Sequence, residues 1–254
     1  MHTEYFARRF YKVVIAPVVI IALSFASFIF FSPDVSAAQN QSSLSLDGSG
    51  NTYVSISDDN QTGLDITGDM TIMMWVKPVS NSGNQALLSK WNLGIKTAYI
   101  LYLEDGDLGV HISENTSGDV YGTYRVPHGQ AENTWYHVAM VYNASNGTTE
   151  LFVNGVSIGK STENVMPTSI ANNNADFVIG GREDGVSNYN GKIDEVRIWS
   201  KALTSDKVAQ FYAKPNNNQI GNDLEGYWKF NGDFEDRSAN NNNLGSIFST
   251  DVPF

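Results

Sequence analysis

The chain has 254 residues and no cysteine, with 16 Lys and Arg against 27 Asp and Glu, which gives a formal net charge of −11 at pH 7. The lack of cysteine excludes disulfides, thiolate metal sites and a cysteine nucleophile. An acidic surface repels phosphate backbones, so the composition argues against nucleic acid as a partner.

The first 37 residues are predicted to be an export signal. Basic residues precede an uncharged apolar run of 19 residues, Val13–Phe31, and the small residues of Val35–Ala38 suit a signal peptidase. The run is also long enough to span a bilayer, so an uncleaved anchor is the alternative, and it would be the chain's contact with a membrane. Either way we expect residues 38–254 to be secreted or displayed at the cell surface.

Residues 44–200 carry the pattern of a β protein. Short runs of alternating apolar and polar residues are separated by Gly, Asn and Asp, as in strands joined by turns. Asn154-Gly155 lies between two apolar runs and is a strong hairpin signal, because both residues tolerate positive φ. Residues 137–142 are apolar on both faces, as in a strand buried on both sides. About a dozen predicted strands indicate a two-sheet antiparallel sandwich.

One helix is predicted, at residues 204–212. Thr204 or Ser205 can cap its first turn, and Asp206 suits the positive end of the helix dipole. The apolar residues Val208 and Phe211 share a face that can pack on the sandwich.

A resemblance to a known family begins at residues 191–204, which read GKIDEVRIWSKALT. This segment resembles the closing strand of laminin-G-like and pentraxin-like domains, which belong to the concanavalin A-like lectin/glucanase superfamily. Four further pieces of the pattern lie earlier in the chain, in the family's order: SLSLDGSGNTYVSI (43–56), DMTIMMWVKP (69–78), WYHVAMVYNASNGTTELFVNGVSIG (135–159) and FVIGG (177–181). The resemblance implies an all-β, two-sheet antiparallel jelly-roll sandwich with one short C-terminal helix.

The C-terminal residues depart from the family's order. Family members often place a Gly-Tyr-Trp-Lys-Phe strand before the opening strand, whereas here GYWKFNGDFEDRSANNNNLGSI follows the helix at 226–247. Either the domain is circularly permuted, with 224–254 completing the sandwich that starts at residue 38, or 224–254 begins a truncated repeat. We favour permutation, because a stranded Tyr227-Trp228 strand would expose apolar surface and an open sheet edge.

The resemblance also implies a structural Ca²⁺. Related sandwiches often hold one with the Asp that opens the last long strand and with oxygens near the first strand, which Asp194 and Asp47-Gly48 match. Oxygens of this kind are what hard cations prefer. Asp184 matches part of an acidic run that binds Ca²⁺ in pentraxins, although Arg182 adds the wrong charge there. The alternatives are hydrogen bonding of Asp194 to turn amides and a solvated acidic loop at Asp184.

Two predicted loops carry the chemistry of sugar recognition. A pyranose has an apolar face and a rim of hydroxyls, so it needs aromatic platforms and planar polar side chains. Trp91 and Asn92 on one loop, and Asn188, Tyr189 and Asn190 on another, supply both. Packing of Trp91 beneath its loop is the alternative.

The motifs give little support to an enzyme. Glycoside hydrolysis needs two facing carboxylates, but the superfamily's Glu-x-Asp-x-x-Glu is missing from the sequence, and Asp194 and Glu195 are neighbours that a regular strand points to opposite faces. His111, His128 and His137 lack the context of a nucleophile or a metalloprotease motif.

The sequence therefore predicts an exported, non-catalytic binding domain with loops ordered by Ca²⁺. The predicted partner is a surface glycan or an extracellular polysaccharide. The alternative is an adhesion module that binds an extracellular protein, or a passive component of the cell envelope. A glycoside hydrolase is the third hypothesis.

Overall fold

The computed structural model describes residues 42–50, 52–92, 96–117, 119–215 and 221–246. The predicted export signal lies outside these residues. Within them the chain forms 14 strands and one α-helix. The strands are β1 (Leu44–Asp47), β2 (Val54–Ile56), β3 (Met70–Pro78), β4 (Asn84–Asn92), β5 (Lys96–Glu104), β6 (Asp107–Ser113), β7 (Tyr121–Pro127), β8 (Tyr136–Asn143), β9 (Thr148–Val153), β10 (Val156–Lys160), β11 (Phe177–Ile179), β12 (Asn190–Trp199), β13 (Leu224–Trp228) and β14 (Gly245–Ser246).

The strands form two seven-stranded sheets. The first sheet has the order β1-β12-β3-β8-β9-β10, with β13 also paired to β12, and the second has the order β14-β2-β11-β4-β5-β6-β7. Neighbouring strands pair antiparallel throughout both sheets. The predicted two-sheet antiparallel jelly-roll sandwich is thereby confirmed.

Strand β8 runs through the middle of the first sheet and is buried on both faces, as its sequence predicted. Val138, Met140 and Tyr142 point into the core between the sheets. Ala139 and Val141 belong to a second apolar cluster on the opposite face of the strand. Burying a large apolar side chain contributes about 1.5–3 kcal/mol, so both faces of this strand stabilise the fold.

Helix α1 (Ser205–Ala213) covers that second cluster. Thr204 caps the helix by accepting a hydrogen bond from the backbone N–H of Lys207, and Val208 and Phe211 are its buried residues. They pack on the outer face of the first sheet against Met73, Ala139, Val141, Phe152, Trp199, Leu224 and Tyr227.

No helix among the described residues is long and apolar enough to cross a lipid bilayer.

The C-terminal strands contribute to both sheets. Strand β13 pairs with β12 in the first sheet, and β14 pairs with β2 in the second. Trp228, the last residue of β13, has a fully buried side chain in the main core. Its ring stacks on Phe177 with centroids 5.2 Å apart, and its Nε1 donates to the carbonyl of Asn242 at 2.8 Å. This is the arrangement that the predicted circular permutation requires.

Two tight turns set the register of the hairpins. Asn154 and Gly155 join β9 to β10 with φ of 50° and 75°, and Asp105 and Gly106 join β5 to β6 with φ of 50° and 88°. Positive φ at both central residues matches the twist of antiparallel strands. The second turn places Ile100 opposite His111, which fixes the side chains on the outer face of the second sheet.

Candidate functional site

The outer face of the second sheet carries a continuous set of aromatic and polar side chains. On edge strand β7 the side chains of Tyr121, Thr123 and Arg125 are exposed, while Gly122 is buried. Residues directly opposite one another in adjacent strands share a face of the sheet. Strand β6 therefore adds His111, which pairs with Thr123. Strands β4 and β5 add the apolar cluster of Ala86, Trp91, Ile100 and Tyr102.

Three rings form an aromatic row across this face. The rings of Trp91 and His111 meet edge to face, with centroids 4.5 Å apart. His111 in turn stacks on Tyr121, with centroids 4.6 Å apart and planes 15° from parallel. Trp91 is buried at one end of the row, whereas Tyr121 is 57% exposed at the other. The row therefore ends in an aromatic ring that solvent can reach.

His111 is the centre of the aromatic row and is held as a neutral imidazole. Burial lowers the pKa of His111 to about 4, so the ring is uncharged in neutral solution. Its Nδ1 lies 3.0 Å from Oγ1 of Thr123. This contact fixes the ring plane that stacks on Tyr121.

A charged group lies further along the same face. Arg125 contacts the carboxylate of Glu104, and its Nε lies 3.5 Å from the carboxylate of Asp107. Tyr121 and Arg125 are four residues apart on β7, about 13 Å at the rise of an antiparallel strand. The face thus offers an aromatic platform at one end and hydrogen-bonding groups at the other.

The predicted sugar-binding loops lie beside this face. Trp91 and Asn92 end β4, and Trp91 is part of the aromatic row. Asn188 forms an isolated bridge with Ala86 of β4, and its Nδ2 donates to the carbonyl of Gly185 at 2.9 Å.

Tyr189 lies in the core and Asn190 lies in strand β12. The ring of Tyr189 is fully buried in the core, and its hydroxyl donates to the carbonyl of Lys192 at 3.3 Å, so it offers no open face for stacking. Asn190 begins β12, pairs with Asp47, and its N–H donates to Gln85 at 3.1 Å.

The structure separates Asp47 from Asp194, which the sequence predicted to share one Ca²⁺. Asp47 pairs with Asn190, four residues from Asp194 along β12, a separation of about 13 Å. Ca²⁺–oxygen distances are about 2.3–2.6 Å, so Asp47 and Asp194 cannot share an ion. Across the described residues, no group of three or more His, Cys, Asp and Glu side chains is arranged to hold a metal.

Two of the predicted ligands nevertheless lie on adjacent loops. A side chain at Gly48 would meet Asn190 at 2.9 Å, and one at Gly185 would meet the carbonyl of Gly50 at 3.0 Å, so the two loops run side by side. The Asp47 carboxylate accepts bonds from residues of its own loop. Asp184 is paired with Arg182, whose Nε lies 3.1 Å from its carboxylate.

Asp194 belongs to a buried polar network beneath helix α1. A bulge in β12, with Glu195 at φ 53°, buries Asp194 and Glu195 together rather than on opposite faces. Asp194 accepts the N–H of Glu195, within the bulge of β12, at 2.8 Å. Arg197 pairs with Glu195 at 2.7 Å and contacts Tyr227 and the carbonyl of Pro215. The network ties the end of the helix to the first sheet.

Sequence reasoning missed His111, Tyr121, Thr123 and Arg125 as members of the exposed face. The signal available was the alternation in Tyr121–Pro127, where every second residue is exposed. Joining that strand to Trp91 requires the register of four strands, which local sequence does not contain.

Comparisons with known proteins identify the family. A laminin-G-type family model of the concanavalin A-like lectin/glucanases superfamily matches residues 47–209. A heptameric SAP-like pentraxin from Limulus polyphemus superposes with a TM-score of 0.57 at 18% identity, covering 84% of this chain and 98% of the pentraxin. A candidate carbohydrate-binding protein from Bacteroides ovatus superposes with a TM-score of 0.59 at 21% identity, covering 81% of this chain and 59% of that one.

A curated relative is a receptor of the adhesion class. Adhesion G-protein coupled receptor V1 of Danio rerio is 22% identical over 177 residues, which are 68% of this chain and 3% of the receptor. The chain thus spans a small fraction of that relative's length.

Proposed function

The chain belongs to the concanavalin A-like lectin/glucanase superfamily, and we propose that it is an exported, non-catalytic domain that binds glycans on the outer face of its second sheet. The observation that carries this proposal is the row of Trp91, His111 and Tyr121, which ends in a ring 57% exposed. The exposed ring of Tyr121 is held in place by stacking on His111. Such a ring is a suitable platform for the apolar face of a pyranose. The likeness to a candidate carbohydrate-binding protein supports the same ligand class.

The remaining polar groups of the face would bind sugar hydroxyls. Thr123, Arg125 and Asp107 lie along the same strands as the row, and their hydroxyl, guanidinium and carboxylate groups donate and accept hydrogen bonds. Asn92 and Asn188 border the face and would add amide contacts. Surface glycans or extracellular polysaccharide are therefore the partners proposed.

The test is binding of the purified domain to a glycan array, followed by calorimetry on the strongest ligand. Tyr121→Ala removes the exposed ring, and we expect about tenfold weaker binding, equivalent to about 1.4 kcal/mol. Val156→Ala is the control, because Val156 is 64% exposed on the first sheet. Equal affinity of the two variants, or no binding to any glycan, would contradict the proposal.

Adhesion to an extracellular protein is the second candidate, and the likeness to the zebrafish adhesion receptor favours it. A domain that binds no glycan but is retained on cells stripped of surface glycans would support this alternative. Loss of retention after protease treatment of the cells would identify the partner as protein.

Calcium ordering of the loops is a separate hypothesis. Its remaining candidate position is the loop pair that contains Asp47 and Asp184. Elemental analysis of the purified protein tests it: one Ca²⁺ per chain, lost in Asp47→Ala, is the expected result, and a calcium-free protein would contradict it.

A further inference from the structure

Lys90 is a buried lysine whose ammonium group is surrounded by oxygen atoms. Its side chain, on β4, is only 1% exposed. Nζ lies 2.5 Å from Oδ1 of Asp58, 2.7 Å from Oδ1 of Asp65, and 2.9 Å from the carbonyl oxygens of both Asn173 and Ala175. We name these four oxygens the oxygen cage.

The oxygen cage is assembled from three separate segments of the chain. The hydroxyl of Tyr99 donates to the carbonyl of Leu64 at 3.0 Å and so fixes the backbone next to Asp65. The side chain of Asn173 accepts the N–H of Ala175 at 3.0 Å, which shapes the loop that supplies both carbonyl oxygens. The convergence on one point is therefore built by the surrounding structure.

The cage holds one more oxygen than an ammonium group has N–H donors. Nζ has three donors and gives them to Asp58 and to the carbonyls of Asn173 and Ala175, while Oδ1 of Asp65 contacts it at 2.7 Å as an ion pair. Two carboxylates face one positive charge, so the formal charge of Lys90, Asp58 and Asp65 together is −1. Carboxylate and carbonyl oxygens in this combination are the ligands that Ca²⁺ takes, six to eight at a time.

We propose that the oxygen cage is a cation site that the chain fills with its own ammonium group, and that it takes Ca²⁺ once this group is removed. The side chains of Asp58 and Asp65 are 22% and 32% exposed, so water can complete the coordination of an ion. The covalently attached cation holds the three segments together without a free metal. It lies at a place in the fold that the sequence-predicted calcium residues do not include.

The experiment replaces Lys90 with methionine in the intact chain. Methionine keeps the apolar stem but ends one atom short of the ammonium, so two carboxylates are left facing an uncharged space. We expect Lys90→Met to lower the Tm in EDTA and Ca²⁺ to restore it. At a Ca²⁺ concentration 100-fold above its Kd, the Tm should rise by about 5–10 °C. Wild-type protein under the same conditions is the reference for any Ca²⁺ bound elsewhere.

The triple variant Lys90→Met, Asp58→Asn, Asp65→Asn removes the carboxylates as well. We expect its Tm to respond to Ca²⁺ no more than the wild type does, which places the ion in the cage. If Lys90→Met does not fold in EDTA, Lys90→Gln is tested in its place, and folding that depends on added Ca²⁺ supports the proposal. A Lys90→Met protein as stable as the wild type, or one whose Tm ignores Ca²⁺, would overturn it.

Discussion

Asp194 and Glu195 show how a bulge changes the chemistry of single residues. Both are buried next to Arg197, and it is Glu195 that pairs with the guanidinium, at 2.7 Å. Burial, followed by the neighbouring charge of Glu195, raises the pKa of Asp194 to about 8. At neutral pH the cluster therefore contains one charge-paired carboxylate and one protonated carboxylic acid.

The raised pKa of Asp194 makes stability depend on pH. Below pH 4 the carboxyl group is protonated in both the folded and the unfolded chain, and the folded state bears no cost from it. Between about pH 4 and 8 the unfolded chain loses the proton and the folded chain keeps it, so stability falls as pH rises. Asp194→Asn cannot ionise, yet it keeps an oxygen for the N–H of Glu195. We expect the free energy of unfolding of Asp194→Asn to exceed that of the wild type, and this difference to grow by about 1 kcal/mol for each pH unit in this window.

Urea denaturation of both proteins at pH 4, 6 and 8 measures this difference. Comparison with the wild type at each pH cancels the contribution of His137, whose buried imidazole also titrates differently on unfolding. Glu163→Gln removes a carboxyl group at an exposed position and is the matched control. A difference between Asp194→Asn and wild type that is constant from pH 4 to 8 would refute the argument.

The hairpin of β9 and β10 is coupled to helix α1 through Gly155. Gly155 has φ 75°, and a Cβ there would lie 2.9 Å from the ring of Tyr212 and 3.2 Å from Cα of Ala209. The ring of Tyr212 also stacks on Trp75, with centroids 5.6 Å apart. The turn therefore touches the helix that closes the outer face of the first sheet, and glycine is needed there for space as well as for conformation.

Gly155→Ala separates these two needs when it is compared with Gly83→Ala. Gly83 has φ 77°, but a Cβ added there would have nothing within 4 Å. Alanine at this position therefore lowers stability only through the strain of a left-handed backbone, about 1–2 kcal/mol. At Gly155 the clash with the helix adds about 1–3 kcal/mol. We therefore expect Gly155→Ala to lower the free energy of unfolding by about 1–3 kcal/mol more than Gly83→Ala does, as measured by urea denaturation. Equal losses of stability in the two variants would show that a clash with the helix does not contribute to the effect of Gly155→Ala.

Elements with local signals were predictable from the sequence, and the assembled face was not. The Asn154-Gly155 turn and the Thr204 cap depend on neighbouring residues, and both occur where predicted. Trp91 was identified as an aromatic ligand candidate, but its partners His111 and Tyr121 come from two other strands. Register across a sheet is set by tertiary packing, and so the aromatic row emerges only from the structure.

Cation ligands likewise depend on tertiary packing. The sequence predicted that Asp47 and Asp194 share one Ca²⁺, yet β1 pairs with β12 so that Asp47 lies opposite Asn190, four residues before Asp194. Lys90 gave no signal, because the oxygens around it come from residues 58, 65, 173 and 175. Its neighbours in the sequence do not reveal them.

At the scale of the whole molecule, segments far apart in the described part of the chain are joined by hydrogen bonds. Asn242 is fully buried and lies 180 residues from Thr62. Its side chain accepts the N–H of Thr62 at 2.7 Å, and donates to the carbonyls of Thr62 and Glu225 at 2.8 and 2.9 Å. One amide thus joins the loop after β2 to strand β13 and to the turn before β14.

Asn242→Ala tests whether this closure stabilises the sandwich. The substitution deletes three hydrogen bonds and leaves backbone groups of Thr62 without partners, at a cost of about 2–4 kcal/mol. The backbone of residue 242 still accepts the bond from Trp228, so the core ring keeps its partner. Asn231→Ala, at an exposed position, is the matched control and should change stability by less than about 0.5 kcal/mol.

Urea denaturation followed by tryptophan fluorescence measures the stability of both variants. A loss at Asn242 no larger than that at Asn231 would mean that these three hydrogen bonds do not stabilise the sandwich.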